Sequence, residues 1–355
     1  MKILQRYFPV FLLIYHLAFS WVGYRYILLN NGDAQRYWLR GAGLGESSWS
    51  DFLKPGTEVV KLLTFPLVNM LHLPFWSGFL IFSLISFLGI ALLYQILKKM
   101  AGTHEGLQGL AMVLVLLPNL HFWTSLIGKE ALLIVPLVVF ALELYRKRYF
   151  STTLLMSLLA IGLIRPHIAL LMLLSYGLSL LLTEHFSKKR KWQIAGGCGA
   201  GIVVFGFLLT QIQDFSGGVD RIIQKYEAHI RVFRHTDAYV PLDQYPLPLK
   251  LFTFYFRPLP FEKPGLWYAV IGLENLMLLL LSAVAMYFFF RSFQTLRRRM
   301  LVVFPIVLML FLGIVFGFAY ANYGILMRTK IMVAPFLYLM IMEVFAFHFR
   351  RKDSP

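Results

Sequence analysis

Cysteine is nearly absent from this 355-residue chain: Cys198 stands alone, so no internal disulfide can form, and no Cys/His spacing of the kind that holds zinc occurs. Charge is also scarce, at 14% of residues, and only 17 of the charged side chains are acidic. A basic module interleaved with stacking aromatics is missing, which argues against nucleic acid as a partner. No internal repeat is visible, which counts against the inverted-repeat transporter folds. The glycines of "GGCGAG" at 196–201 lack the preceding strand that a dinucleotide loop needs, so they read as close-packing positions of a membrane helix.

What remains is apolar. Hydrophobic residues make up 59% of the chain and its mean hydropathy is +0.68, values outside the range of soluble globular proteins. The expected fold is all-α, a polytopic membrane protein. A hydrocarbon core of roughly 30 Å needs about 20 apolar residues per helical span, and about ten runs approach that length. They lie near 7–29, 75–97, 108–127, 130–145, 152–164, 167–183, 192–212, 266–290, 300–320 and 331–348. The whole of 1–355 reads as one transmembrane domain. The two short runs around Arg165 fit either two separate spans or two half-helices meeting at "RPH".

Lys and Arg are retained on the cytoplasmic side of short loops, and here every second junction is basic. Lys2 and Arg6 begin the pattern; "KK" at 98, "RKR" at 146, "KKRK" at 188, "RSFQTLRRR" at 291 and "RRK" at 350 continue it. Both termini are therefore expected in the cytoplasm. The first run reads as an uncleaved anchor, because no small-x-small site precedes "NNGD". The opposite face holds two sizeable outer segments, 30–74 and 213–265, and tight junctions. It carries more basic than acidic side chains, which the topology rule does not ask for.

Those outer residues carry the candidate chemistry. In "LLNNGDAQRYWLRG", 28–41, Asp33, Arg36 and Arg40 follow the first span directly. Asp33 is placed to cap an amphipathic helix, to take a proton from an attacking hydroxyl, or both. "WTSLIGKEALLIV" puts Lys129 and Glu130 between two spans, either as an interfacial pair or as a phosphate-holding Lys oriented by its acidic neighbour. "AIGLIRPHIALL" sets Arg165 and His167 within hydrocarbon-compatible sequence, a site signal by default. "FYFRPLPFEKPG" presents Arg257, and "ANYGILMRTKIMVAPF" presents Arg328 and Lys330, both expected at the outer membrane surface, with "NYG" as a plain turn. Guanidinium forks match phosphate oxygens bidentately, so several of them on one face, with Lys129, would clamp a diphosphate.

With these stretches in view, "NNGDAQRYW", "FWTSLIGKEAL", "LIRPH", "FRPLPFE" and "NYGILMRTK", the chain resembles bacterial envelope glycan proteins. These are the exopolysaccharide and O-antigen repeat-unit polymerases and the glycosyltransferase C superfamily, in which a long outer loop after the first span carries an acidic residue. The large extra outer domain of many members of that superfamily has no counterpart here, which points to a compact polymerase-like enzyme. The resemblance implies glycosyl transfer from a polyprenyl-(di)phosphate-linked sugar at the outer face of the bacterial inner membrane, alongside membrane lipid and partners in envelope glycan assembly. Asp33 or His167 would act as base, and Arg36, Lys129, Glu130, Arg165, Arg257, Arg328 and Lys330 would bind substrate. No organic cofactor is implied, since the donor bond is already activated, and no residues identify a metal site, although a divalent ion is compatible with the chemistry. A transporter or flippase of the same lipid, which would want charge deep in several spans where only Glu143, Glu274 and Glu343 offer it, and a non-catalytic envelope scaffold are the other readings.

Overall fold

The computed structural model describes residues 2–38, 48–211, 224, 227–228 and 230–352. Arg40 and part of the 213–265 segment lie outside them. Among the described residues the protein is 82% helical and contains no strand, as an all-α membrane protein requires when every backbone polar group must be satisfied without water. All ten expected runs are helical. Among the described residues seven helices are long and apolar enough to cross a membrane, or eight if the pair Tyr323–Met332 and Ala334–Arg350, bent by 60°, counts as one span. The helices over 129–145 and 152–164 fall short on length. Backbone contacts divide the chain into two compact units, Met1–Ala169 and Leu170–Pro355.

The first unit contains α1 (Lys2–Asn30), α2 (Asp33–Trp38), α3 (Glu58–Phe65), α4 (Phe75–Ala101), α5 (Glu105–Val115), α6 (Pro118–Thr124), α7 (Lys129–Tyr145) and α8 (Thr152–Ile164). α9 (Pro166–Thr183) begins in it. At one end Gln5 bonds Gln108, whose Nε2 also donates to the Gly102 carbonyl at 2.6 Å. The basic stretches of 2–6 and 98–99 therefore share that end. At the other end lies α2, which buries Ala34, Tyr37 and Trp38. The Thr64 hydroxyl on α3 donates to the Tyr37 carbonyl at 2.8 Å and joins the two short helices.

Between α5 and α6 the helix breaks at Pro118, which has no N–H to give and leaves carbonyls of the preceding turn unserved. Side chains serve them instead. His121 Nε2 donates to the Val115 carbonyl at 2.6 Å and the Tyr15 hydroxyl to the Leu116 carbonyl at 3.0 Å. His121 in turn meets His16 of α1, and both are fully buried.

The second unit contains most of α9, α10 (Lys188–Thr210), α11 (Leu247–Phe256), α12 (Leu266–Arg291), α13 (Phe293–Leu296), α14 (Met300–Ala319), α15 (Tyr323–Thr329) and α16 (Ala334–Lys352). The "GGCGAG" glycines of α10 serve close packing only in part. Leu173 lies over Gly201, and Cys198 itself packs on Gly177 of α9, while Gly196, Gly197 and Gly199 have open space beside them. Glu143 and Glu343, the acids that looked deep in spans, neutralise basic helix ends: Glu143 lies 3.6 Å from Arg146 and accepts from Ser151 at 2.5 Å, and Glu343 pairs with Arg299. Neither is a lone charge in hydrocarbon.

α11 is the element that positions the second unit's site. Lys250 packs on Gly317 of α14, Leu251 and Tyr255 pack on Gly313, and the Tyr255 hydroxyl donates to the Met309 carbonyl at 2.5 Å. As numbers rise along α11 they fall along α14, so α11 descends beside the span. The register sets Arg257 beside the turn of α14 near residue 310, about 14 Å below its Ala319 end at 1.5 Å per residue. The Asn275 amide donates to the Pro258 carbonyl at 2.8 Å, and Asn275 lies nine residues, about 14 Å, into α12. Two helices thus fix the Arg257 turn, α14 through its glycines and α12 through Asn275.

Candidate functional site: two carboxylate-held arginines

In the first unit, α7 begins with Lys129 and Glu130, and α8 ends at Arg165, because Pro166 cannot continue the helical bonding. An Arg165 Nη2–H donates to Glu130 Oε1. The side chains are only 11% and 4% exposed, so each charge compensates the other where neither could be tolerated alone. Glu130 therefore orients a guanidinium brought from 35 residues away. Arg165 Nε is buried with no hydrogen-bond partner. Lys129 and His167, both half-buried, lie within electrostatic reach of one another and of Arg165.

The first outer segment is stitched to this cluster. The Gly56 N–H donates to the Leu163 carbonyl at 2.7 Å, two residues before Arg165. Trp38 and Ile127 meet over Gly78, where a Cβ would come within 2.4 Å of the indole and 2.6 Å of the Ile127 methyl. The turn leading into Lys129 is thereby fixed against α2, whose first residue is Asp33. Asp33 is half-buried in the first helical turn and Arg36 exposed in the last, each at the end where its charge opposes the helix dipole.

The second unit holds its arginine differently. Arg257 Nε donates to both oxygens of Glu262 at 2.9 Å, and Nη1 reaches the Tyr245 hydroxyl at 3.4 Å and Thr253 Oγ1 at 3.5 Å. Glu262 also accepts from the Leu259 N–H at 3.1 Å and the Tyr323 hydroxyl at 3.4 Å. Lys330 lies beneath this network. Buried to 8% exposure, its ammonium donates to the Arg257 carbonyl at 2.8 Å and to Asn275 Oδ1 at 3.1 Å, with the Glu274 charge in range. Its contacts are those of a strut for the Arg257 turn. Arg328, two residues earlier, is half-buried.

Asn322 caps α15, its side-chain oxygen accepting from the Gly324 N–H at 2.9 Å and the Ile325 N–H at 3.3 Å, so "NYG" is a helix start and not a plain turn. The Tyr323 N–H bonds the Ala238 carbonyl at 2.8 Å and the Val240 N–H the Ala321 carbonyl at 3.0 Å, tying the outer segment to this cap. Sequence reading passed over Tyr245, Glu262, Asn275 and Tyr323. Only the "RPLPFE" spacing of Arg257 and Glu262 carried a usable signal.

Comparison with protein-family models, curated proteins and solved structures finds no match to this chain. The two centres therefore stand on their geometry: each unit holds an arginine with a carboxylate, among apolar helices and beside hydroxyl or imidazole groups. Such a centre offers cationic donors to an oxyanion in low-dielectric surroundings.

Proposed function

We propose that the protein is a membrane glycosyltransferase of polysaccharide-polymerase type, acting on a polyprenyl-(di)phosphate-linked sugar. The observation that carries the reading is Arg165: nearly buried, oriented through one edge by Glu130, with an unpartnered Nε and with Lys129 and His167 beside it. A phosphate oxygen at a lipid-accessible helix junction is a suitable acceptor for that donor set.

In the reaction, an acceptor hydroxyl attacks the anomeric carbon and the bond from that carbon to the phosphate oxygen breaks. The hydroxyl proton passes to Asp33, or to His167, and the negative charge developing on the leaving phosphate is met by Arg165 and Lys129. Arg36 attracts the anionic donor from the aqueous side. The Arg257 centre, with Glu262 and Lys330 holding its turn and Arg328 nearby in sequence, is a cationic site of the second unit that would take a phosphate of its own. The site would face the outer side of a bacterial inner membrane, with both termini in the cytoplasm and other envelope glycan enzymes as partners. The Arg257 turn, whose backbone carbonyls are held by Asn275 and Lys330, favours one further reading, translocation of the same anionic lipid, since irregular backbone between helices serves transported ions as well.

Genetic deletion with analysis of lipid-linked intermediates separates these. A polymerase leaves single repeat units accumulated on the outer leaflet, and a translocator leaves them on the inner one. Unchanged intermediates would remove both readings and leave a scaffold.

A further inference from the structure

Below the Arg257 turn, α12, α14 and α16 surround a cavity of about 330 Å³ that begins at Phe256. Its walls are apolar apart from Ser282, whose hydroxyl is buried without a hydrogen-bond partner. Along α12 the lining runs from Leu279 to Phe289, ten residues or about 15 Å, which is the depth of one leaflet of a core of roughly 30 Å. Ala283 and Met286, on the lining, are also exposed on the helix surface, so the cavity opens sideways toward lipid. A void of this depth and polarity is reached from the bilayer and suits hydrocarbon.

The end of the cavity away from Arg257 meets a basic turn. Arg291 follows Phe289 by two residues, and the short α13 folds the chain back so that Arg297, Arg298 and Arg299 precede the lining residue Val302. No acid occurs in "RSFQTLRRR". Arg299 is already engaged by Glu343 and by the Phe347 ring at 4.7 Å. Arg291, Arg297 and Arg298 are exposed.

We propose that this is a binding site for one anionic glycerophospholipid, with an acyl chain in the cavity and the phosphate on Arg291, Arg297 and Arg298. The charge of the turn selects the headgroup, and the cavity selects a lipid over a soluble anion. The chain would fill the space that Leu279, Ile306 and Leu337 leave among α12, α14 and α16, so the lipid binds as part of the bundle and apart from the glycan chemistry. Ser282 is the place to test this, because its hydroxyl makes no bond that a substitution would break.

The full chain is reconstituted in nanodiscs of equal phosphatidylglycerol and phosphatidylcholine, released into mild detergent and examined by native mass spectrometry. One phosphatidylglycerol per chain should be retained in preference to phosphatidylcholine. Ser282→Phe, which fills the cavity, should abolish retention, and Ala283→Leu, a smaller filling, should reduce it should the larger change disturb folding. Arg297→Gln and Arg298→Gln should each lower the preference roughly fivefold. Equal retention of both lipids, retention of neither, or phosphatidylglycerol held equally well after both fillings would overturn the proposal.

Discussion

His16 and His121 approach Nδ1 to Nδ1 at 2.9 Å. His121 Nε2 donates to the Val115 carbonyl, which can only accept. His16 Nε2 lies 2.9 Å from the Ser86 hydroxyl, which itself donates to the Ser83 carbonyl at 3.0 Å. One polar chain thus runs from α4 through α1 to the broken α5–α6 junction.

That chain makes a stability prediction. His121→Phe keeps the ring volume but leaves the Val115 carbonyl buried without its partner, at roughly 1–3 kcal/mol, and removes the His16 contact as well. Tyr15→Phe removes the single bond to Leu116 and should cost about 1 kcal/mol. Thermal unfolding in detergent should place His121→Phe well below Tyr15→Phe, and equal midpoints would refute the capping role.

The glycines beneath α11 predict a graded series. A Cβ on Gly272 would lie 2.8 Å from Pro260 N and 2.9 Å from the Leu259 carbonyl carbon, backbone that cannot turn aside. On Gly313 it would lie 2.6 Å from a Leu251 methyl, which can. Gly272→Ala should therefore cost about 1–3 kcal/mol and displace Arg257, while Gly313→Ala costs less and Gly199→Ala, with open space beside it, stays within about 0.5 kcal/mol. Thermal unfolding of the three variants checks the order.

These same positions explain what the sequence could and could not disclose. Hydropathy located the ten helical runs because each is a property of 13 to 25 consecutive residues. The break at Arg165 was visible for the same reason, since Pro166 and two polar side chains interrupt a local pattern. The seat of Arg257 was not, because it depends on α11 matching a helix some 60 residues later through Gly313 and Gly317. Those two glycines form a G-x-x-x-G spacing, "GIVFG", that marks close approach of a second helix and could have given warning. Glu262 and Tyr323 escaped because an acid and a tyrosine in outer loops look ordinary until a turn folds them onto one guanidinium.

Topology is testable apart from chemistry. Reporter fusions after Lys99, Lys191 and Arg299 should report cytoplasm, and fusions near Lys54 and Tyr239 the outside. A cytoplasmic signal at Lys54 would invert the orientation and place the Arg165 centre on the wrong side for an outer-leaflet donor.

The Glu130–Arg165 pair predicts different losses from its two halves. Glu130→Ala strands a buried guanidinium and should destabilise the protein by about 3–5 kcal/mol. Arg165→Lys keeps the charge but loses the planar fork, so the fold should suffer less than donor binding does. Michaelis constants for the lipid-linked donor, measured beside thermal midpoints, separate the two effects. A Lys variant that binds donor normally would reduce Arg165 to a structural counter-ion.

The base is the most decisive group to test. Asp33 begins α2 at a half-buried position on the outer segment that is fastened, through Trp38 and Ile127, to the turn before Lys129. Asp33→Asn retains an oxygen acceptor at the start of the helix and creates no cavity, so stability should move by at most roughly 1 kcal/mol. Turnover should fall by roughly 100-fold or more if the carboxylate takes the acceptor proton, with little change in donor affinity. Elongation of lipid-linked glycan by the purified variant provides the measurement. An unmodified rate would reduce Asp33 to its place at the helix terminus and make His167, beside Arg165 and Lys129, the base to substitute next.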